Sequence, residues 1–235
     1  MNTYQLIVNE LESHADNKKA VSMQRFFKTG KGEYGEGDCF YGVTVPQQRL
    51  IAKKFALQSN EATVIALLDS AIHEQRLTGV FILVHKFNAD YKKNNAEQWV
   101  KLYLSKTSCI NNWDLVDSSA HLILGKWLEN KERSILYDLA NSSLLWENRI
   151  AVVATLHFIR KHDFHDIFKL SKILLNHKHD LIHKATGWML REVWEKSPDQ
   201  VERFLDDHYS NMPRTMLRYT IEKMANEKRL EYLKK

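Results

Sequence analysis

The chain has 235 residues, 44% hydrophobic, 27% charged and 11% aromatic, a composition that excludes disorder, collagen-like sequence and a disulfide mini-scaffold. Its two cysteines, Cys39 and Cys109, form no CxxC pair, no stretch approaches about 20 uncharged apolar residues, and Met1 to Glu12 carries acidic residues where a signal peptide carries basic ones. A zinc ribbon, a disulfide framework and membrane attachment are therefore not expected, and a reducing cytoplasm is the expected compartment. The formal charge of +5, at a pI near 9.0, suits attraction of a polyanion if the cations gather on one face.

With only 3 prolines and 8 glycines, the chain has too few turn residues for a strand-rich fold, and an all-α fold is expected. A helical run at Met23 to Lys28 leads into the one long irregular stretch, at about residues 29–45, where Gly30, Gly32, Gly35, Gly37 and Gly42 cluster. Gly30-Lys31-Gly32-Glu33-Tyr34-Gly35 matches the letters GxGxxG, but that fingerprint requires a strand before it and a helix opening on it. Here it follows a helix, so no nucleotide cofactor is expected. A new helix carrying Arg49 starts at Val45-Pro46.

Beyond this point apolar residues recur at helical spacing, as in Leu115, Val116, Leu122, Leu124, Trp127 and Leu128, then Ile150, Val153, Leu156 and Ile159. Short polar punctuations separate the runs: Glu129-Asn130-Lys131, Asn141-Ser142-Ser143, Lys161-His162-Asp163 and Lys196-Ser197-Pro198-Asp199. Connections this short imply antiparallel neighbours. A recurring block, polar at its head and aliphatic after it, starts at Arg76, Asp117, Arg149, Lys184 and Arg214. That is the period of about 30 to 40 residues of two-helix solenoid units such as HEAT repeats. An irregular helical bundle is the alternative. In the solenoid, an α-α superhelix, the second helix of each pair lines a concave face. Arg149, Lys184 and Arg214 then form a basic stripe along it.

Histidines at 157, 162 and 165 and again at 177, 179 and 183 lack the one-turn ligand spacing of a helical metal pair. They read as solvated residues between helices, and no metal is expected. Trp113 and Asp117 are more specific, being four residues apart and hence on one helical face. Asp114, near the start of that helix, reads as a favourable charge at its N-terminus. Trp188 interrupts an aliphatic pattern and is flanked at helical spacing by Lys184 and Arg191. Each tryptophan alone reads as core; together with Asp117 and Arg149 they make a set of two aromatic walls, a carboxylate and a guanidinium.

The strings Trp113-Asp114-Leu115-Val116-Asp117, Glu147-Asn148-Arg149-Ile150-Ala151, Lys184-Ala185-Thr186-Gly187-Trp188-Met189-Leu190-Arg191-Glu192 and Met212-Pro213-Arg214-Thr215 resemble the DNA alkylation repair family, the AlkD-type HEAT-like-repeat DNA glycosylases. Met23-Gln24-Arg25-Phe26 and the stretch from Gly42-Val43 to Arg49 also fit, so the resemblance covers nearly the whole chain as a single domain, 1–235. It implies Asp117 as catalytic carboxylate, Trp113 and Trp188 as aromatic walls of the lesion site and Arg149 as a phosphate contact. Asn112 stands where some members carry another tryptophan, and Phe26 where some carry tyrosine, which removes a hydroxyl contact.

The chemistry this implies is simple. A purine alkylated at N3 or N7 is cationic and leaves without protonation; a carboxylate need only stabilise the oxocarbenium-like sugar and orient water. Lys184, Arg191, Arg214 and Arg218 are the further phosphate-binding candidates. The expected protein is a monofunctional glycosylase, a monomer acting on alkylated double-stranded DNA without a cofactor. The alternatives are a HEAT-repeat protein that binds damaged or branched DNA without catalysis, and a helical scaffold for other proteins.

Overall fold

The computed structural model describes residues 1–234. Among them every regular element is helical, apart from an isolated parallel bridge between Cys39 and Ile72. The fold is all-α, built of paired helices as the periodicity requires. The chain divides into two compact units, residues 1–119 and the residues from 120 onward. Among the described residues no helix is long and apolar enough to cross a membrane.

The first unit comprises α1 (Thr3–Ser13), α2 (Asn17–Phe26), α3 (Val45–Phe55), α4 (Glu61–Leu68), α5 (His73–Tyr91), α6 (Glu97–Ser105) and α7 (Trp113–Asp117). Side chains that satisfy free N–H groups start several of them. Asn2 Oδ1 accepts from Gln5 N at 2.9 Å, Asp16 Oδ1 from Lys18 N and Lys19 N at 3.0 and 3.1 Å, and Asn60 Oδ1 from Thr63 N at 2.9 Å. The core runs along α5, where Leu77, Val80, Ile82, Leu83 and Phe87 are buried with Ile7, Leu11, Leu67 and Tyr103.

Residues 27–44 form no helix, and the first turn of α5 holds them in place. His73, Glu74, Gln75 and Arg76, four polar residues in a row, are 1%, 1%, 4% and 4% exposed. Buried polar groups need partners, and the irregular segment supplies them. Glu74 accepts from the N–H groups of Tyr41, Gly42 and Val43 at 3.1, 2.8 and 3.2 Å, and Gln75 donates to the Tyr41 hydroxyl at 2.8 Å. His73 and Arg76 both bind Asp38. Gly42 is required here: its φ is +86°, and a Cβ would lie 2.1 Å from the Asp16 carbonyl.

The second unit opens on a π-helical turn, His121–Gly125, followed by α8 (Ser134–Ala140), α9 (Leu145–Ala154), α10 (Leu156–Ile159), α11 (His165–Ile173), α12 (Asp180–Trp194), α13 (Pro198–His208), α14 (Arg214–Thr220) and α15 (Asn226–Leu233). The amphipathic run from Leu115 to Leu128 is thus not one helix. Ser119 Oγ donates back to the Leu115 carbonyl at 2.7 Å, a side-chain bond that competes with the helical ladder, and the ladder then widens, with Gly125 N on the Ala120 carbonyl at 2.9 Å. Ile150, Val153, Ile159, Leu190, Val193, Leu205, Met216 and Ile221 fill the second core. Gly187 lets α12 and α14 meet closely, since a Cβ there would stand 2.5 Å from both the Met216 carbonyl and Tyr219 Cβ.

Candidate active site

In the first unit α7 carries Trp113 and Asp117 one turn apart. Asn112 starts this short helix: it is 0% exposed, its Oδ1 accepts from Trp113 N at 2.8 Å, and its Nδ2 donates to Asp38 Oδ2 at 3.3 Å. The position that departs from the family pattern therefore fixes the register of α7 instead of adding an aromatic ring. The half-buried Trp113 ring stacks on Phe27, with centroids 5.3 Å apart and planes at 19°, and meets Phe26 edge-on at 5.8 Å. Phe26 is 65% exposed, so two of the residues singled out in the sequence adjoin one another, one of them open to solvent.

Asp117, at the end of α7, is half-buried. Its charge is felt by Tyr103, which is fully buried with its hydroxyl 3.0 Å from Ser119 Oγ. Because Ser119 gives its own proton to Leu115, the phenol is the donor. Burial first, and then the negative charge of Asp117, hold the Tyr103 phenol above its ordinary range.

Asp114 does more than place a charge at a helix start. Its Oδ2 lies 2.9 Å from His73 Nε2, while His73 Nδ1 lies 2.9 Å from Asp38 Oδ2. Burial opposes the imidazolium, but the bonds and charges of Asp114 and Asp38 outweigh it and raise His73 to about 9. Asp38 also binds Arg76; burial alone opposes its ionisation, and His73 and Arg76 reverse that, lowering its carboxyl below the ordinary 3.8. The sequence pattern singles out neither Asp38 nor His73, and it marks Arg76 only as the head of a repeat block. The only signal was the row of polar residues heading a strongly aliphatic helix, which by pattern reads as a solvent-facing cap.

In the second unit the candidate cations differ in setting. Arg149 on α9 is 5% exposed, and its Nη1 donates to the Leu181 carbonyl at 2.6 Å, in the first turn of α12. Lys184, Trp188 and Arg191 follow one another along α12. Lys184 pairs with Asp180 at 2.9 Å, the Trp188 indole N–H donates to Glu192 Oε1 at 2.9 Å, and Arg191 pairs with Glu222. Arg214 and Arg218, one turn apart on α14, are exposed, and Arg214 Nη2 reaches the Leu233 carbonyl at 3.3 Å.

The histidines between helices are less solvated than their spacing implies. His162 and His165 are exposed, but His157 meets Glu129 at 3.0 Å, His177 meets Asn148 at 3.2 Å, and His179 accepts from Leu181 N at 3.2 Å at the start of α12. Among the described residues no group of three or more His, Cys, Asp or Glu side chains is arranged to hold a metal ion.

Residues 7–224 match the family model of the DNA alkylation repair enzymes. A solved structure described as a predicted DNA alkylation repair enzyme from Enterococcus faecalis superposes with a TM-score of 0.74 at 16% identity, covering 91% of this chain and 98% of that one. At that identity the likeness is one of fold. No match was found among curated proteins.

Proposed function

The chain belongs to the DNA alkylation repair enzyme family, and from that premise we propose that it is a monofunctional DNA glycosylase releasing cationic N3- and N7-alkylated purines from double-stranded DNA. The observation that carries the proposal is the pairing on α7 of a carboxylate, Asp117, with an aromatic ring, Trp113, one turn away and packed from behind by Phe27. That is the equipment the reaction needs. The alkylated base already carries the positive charge that makes it a leaving group, so no acid is required. Charge develops on the deoxyribose instead, and the Asp117 carboxylate stabilises it and orients the attacking water. Trp113 holds the cationic base through its ring face, an effect worth about 0.5–2 kcal/mol depending on desolvation. Phe26, exposed beside Trp113, adds an apolar surface for the nucleotide.

Arg214, Arg218, Lys184 and Arg191 bind phosphates without reading sequence. The last two stand paired with Asp180 and Glu222 and exchange those carboxylates for phosphate. Arg149, buried against the start of α12, meets a phosphate only where the backbone is held directly against α9 and α12, and in this reading it also orients α12 through Leu181. The protein acts as a monomer, in the cytoplasm, without cofactor.

The test is to incubate methylated duplex DNA with the protein and separate the free bases. Release of 3-methyladenine and 7-methylguanine is expected. Tight binding of the same duplex with no base released would replace this reading with that of a non-catalytic DNA-binding protein.

A further inference from the structure

The buried charges behind α7 have no role in the chemistry just described, yet they touch both ends of its geometry. His73 is 1% exposed, and each of its ring nitrogens faces a carboxylate oxygen at 2.9 Å. A neutral imidazole has one N–H and one lone pair, so one of these contacts would set a lone pair against a carboxylate. Both nitrogens are therefore donors, and the ring is an imidazolium bridging Asp38, in the irregular segment, to Asp114, in α7. The groups around it are few. Arg76 neutralises the far oxygen of Asp38, Asn112 donates to Asp38 at 3.3 Å, and Glu74, next along α5, is turned to the N–H groups of residues 41–43.

The same ring also reaches α7 by a second route. It packs against Phe27 and Phe40, with centroids 4.7 and 4.6 Å away, and Phe27 in turn stacks on Trp113. The backbone of α7 is thus tied to His73 through Asp114, and the Trp113 ring is tied to it through Phe27. We infer that His73 is the positioning residue of α7, the group that sets where Trp113 and Asp117 stand for the reaction. This rests on the reading of those two as site residues.

The experiment compares wild type with His73→Gln and, as a milder second variant that keeps an acceptor for Nε2, Asp114→Asn. In each, single-turnover release of 7-methylguanine, DNA affinity and amide hydrogen exchange are measured. A misplaced α7 slows release by about ten- to a hundredfold, the scale of a displaced catalytic group, with DNA affinity retained. Exchange accelerates in residues 112–117 more than in the rest of residues 1–119. The wild-type release rate also declines as pH passes about 9, a limb that His73→Gln lacks. Release and α7 exchange both unchanged in the two variants would overturn the inference. So would a uniform rise in exchange across residues 1–119, which marks a group that only adds stability. If wild type releases no base, the proposed function falls, and the exchange comparison alone decides whether His73 holds α7.

Discussion

Asp114 Oδ2 accepts from His73 Nε2 at 2.9 Å, and this one bond joins the head of α5 to the helix that carries Trp113 and Asp117. A charged ring buried between two carboxylates stabilises the fold only while it keeps its proton, and the direction of the effect follows from that. In the folded chain His73 is raised from 6.5 to about 9, so folding holds the proton more tightly than the unfolded chain does. The contribution, on the order of 3 kcal/mol, is complete below pH 6.5 and is lost as pH climbs through about 9. Asp38 acts on the opposite side: its carboxyl is lowered from 3.8, so its contribution is present above that value and is lost as pH falls below it. Urea midpoints measured from pH 3 to pH 10 should show a plateau between these limits, and His73→Gln should abolish the alkaline fall.

Phe27 joins two aromatic contacts, with Phe40 and with Trp113, both stacked at 5.3 Å. Phe27→Ala removes the middle of that column and should cost about 3–5 kcal/mol of stability. Phe27→Leu keeps most of the volume and should cost less than about 1.5 kcal/mol. If stability follows this order while base release falls for both variants, the flat ring matters to Trp113 beyond its volume; release that tracks stability alone would assign Phe27 to packing only.

Gly187 sits where α12 passes closest to α14. Gly187→Ala drives a Cβ against the Met216 carbonyl and Tyr219 Cβ, and a loss of about 1–3 kcal/mol is expected by chemical denaturation. The helix preference of alanine would give a gain of about 1 kcal/mol at an open position, so the sign of the change tests the close approach directly.

Arg214 and Arg218 are exposed on one face of α14. If both meet phosphates, the double variant to alanine lowers the slope of log K against log salt by about 1.8, with little change in thermal stability. Arg149→Ala should behave differently. It removes a buried donor from the Leu181 carbonyl, so it should cost about 1–3 kcal/mol of stability together with any loss of DNA affinity. Lys234→Ala serves as the surface control, and an equal loss of affinity in all of these variants would remove the special standing of α14.

The fold class was legible because helical spacing is local. The run Lys184 to Arg191, with apolar residues at every third or fourth position, specifies α12 without reference to anything distant. The pairing of Trp113 with Asp117 was legible for the same reason. What was not legible depends on contacts made far along the chain. His73 and Asp38 are 35 residues apart, with α3 and α4 between them, and Asp38 itself lies in a glycine-rich stretch with no periodic signal. The row His73-Glu74-Gln75-Arg76 looks like a solvated helix start until its partners are in place. Arg149 illustrates the converse, since by residue type it reads as an open cation, yet the carbonyl of Leu181 holds it inside the helix layer. The interruption after Asp117 was hidden too, because Ser119 fits the apolar rhythm around it and acts through its hydroxyl.

The negative charge of Asp117 carries the proposed mechanism, and single-turnover release of 7-methylguanine by wild type and Asp117→Asn, at matched DNA saturation, tests it most directly. The substitution keeps the size of the side chain and removes only its charge. A fall of about a hundredfold or more in the rate, on the scale set by removing a preorganised electrostatic group, with DNA affinity unchanged, is the predicted result. Equal rates for the two proteins would show that the carboxylate does not stabilise the sugar cation and would contradict the mechanism.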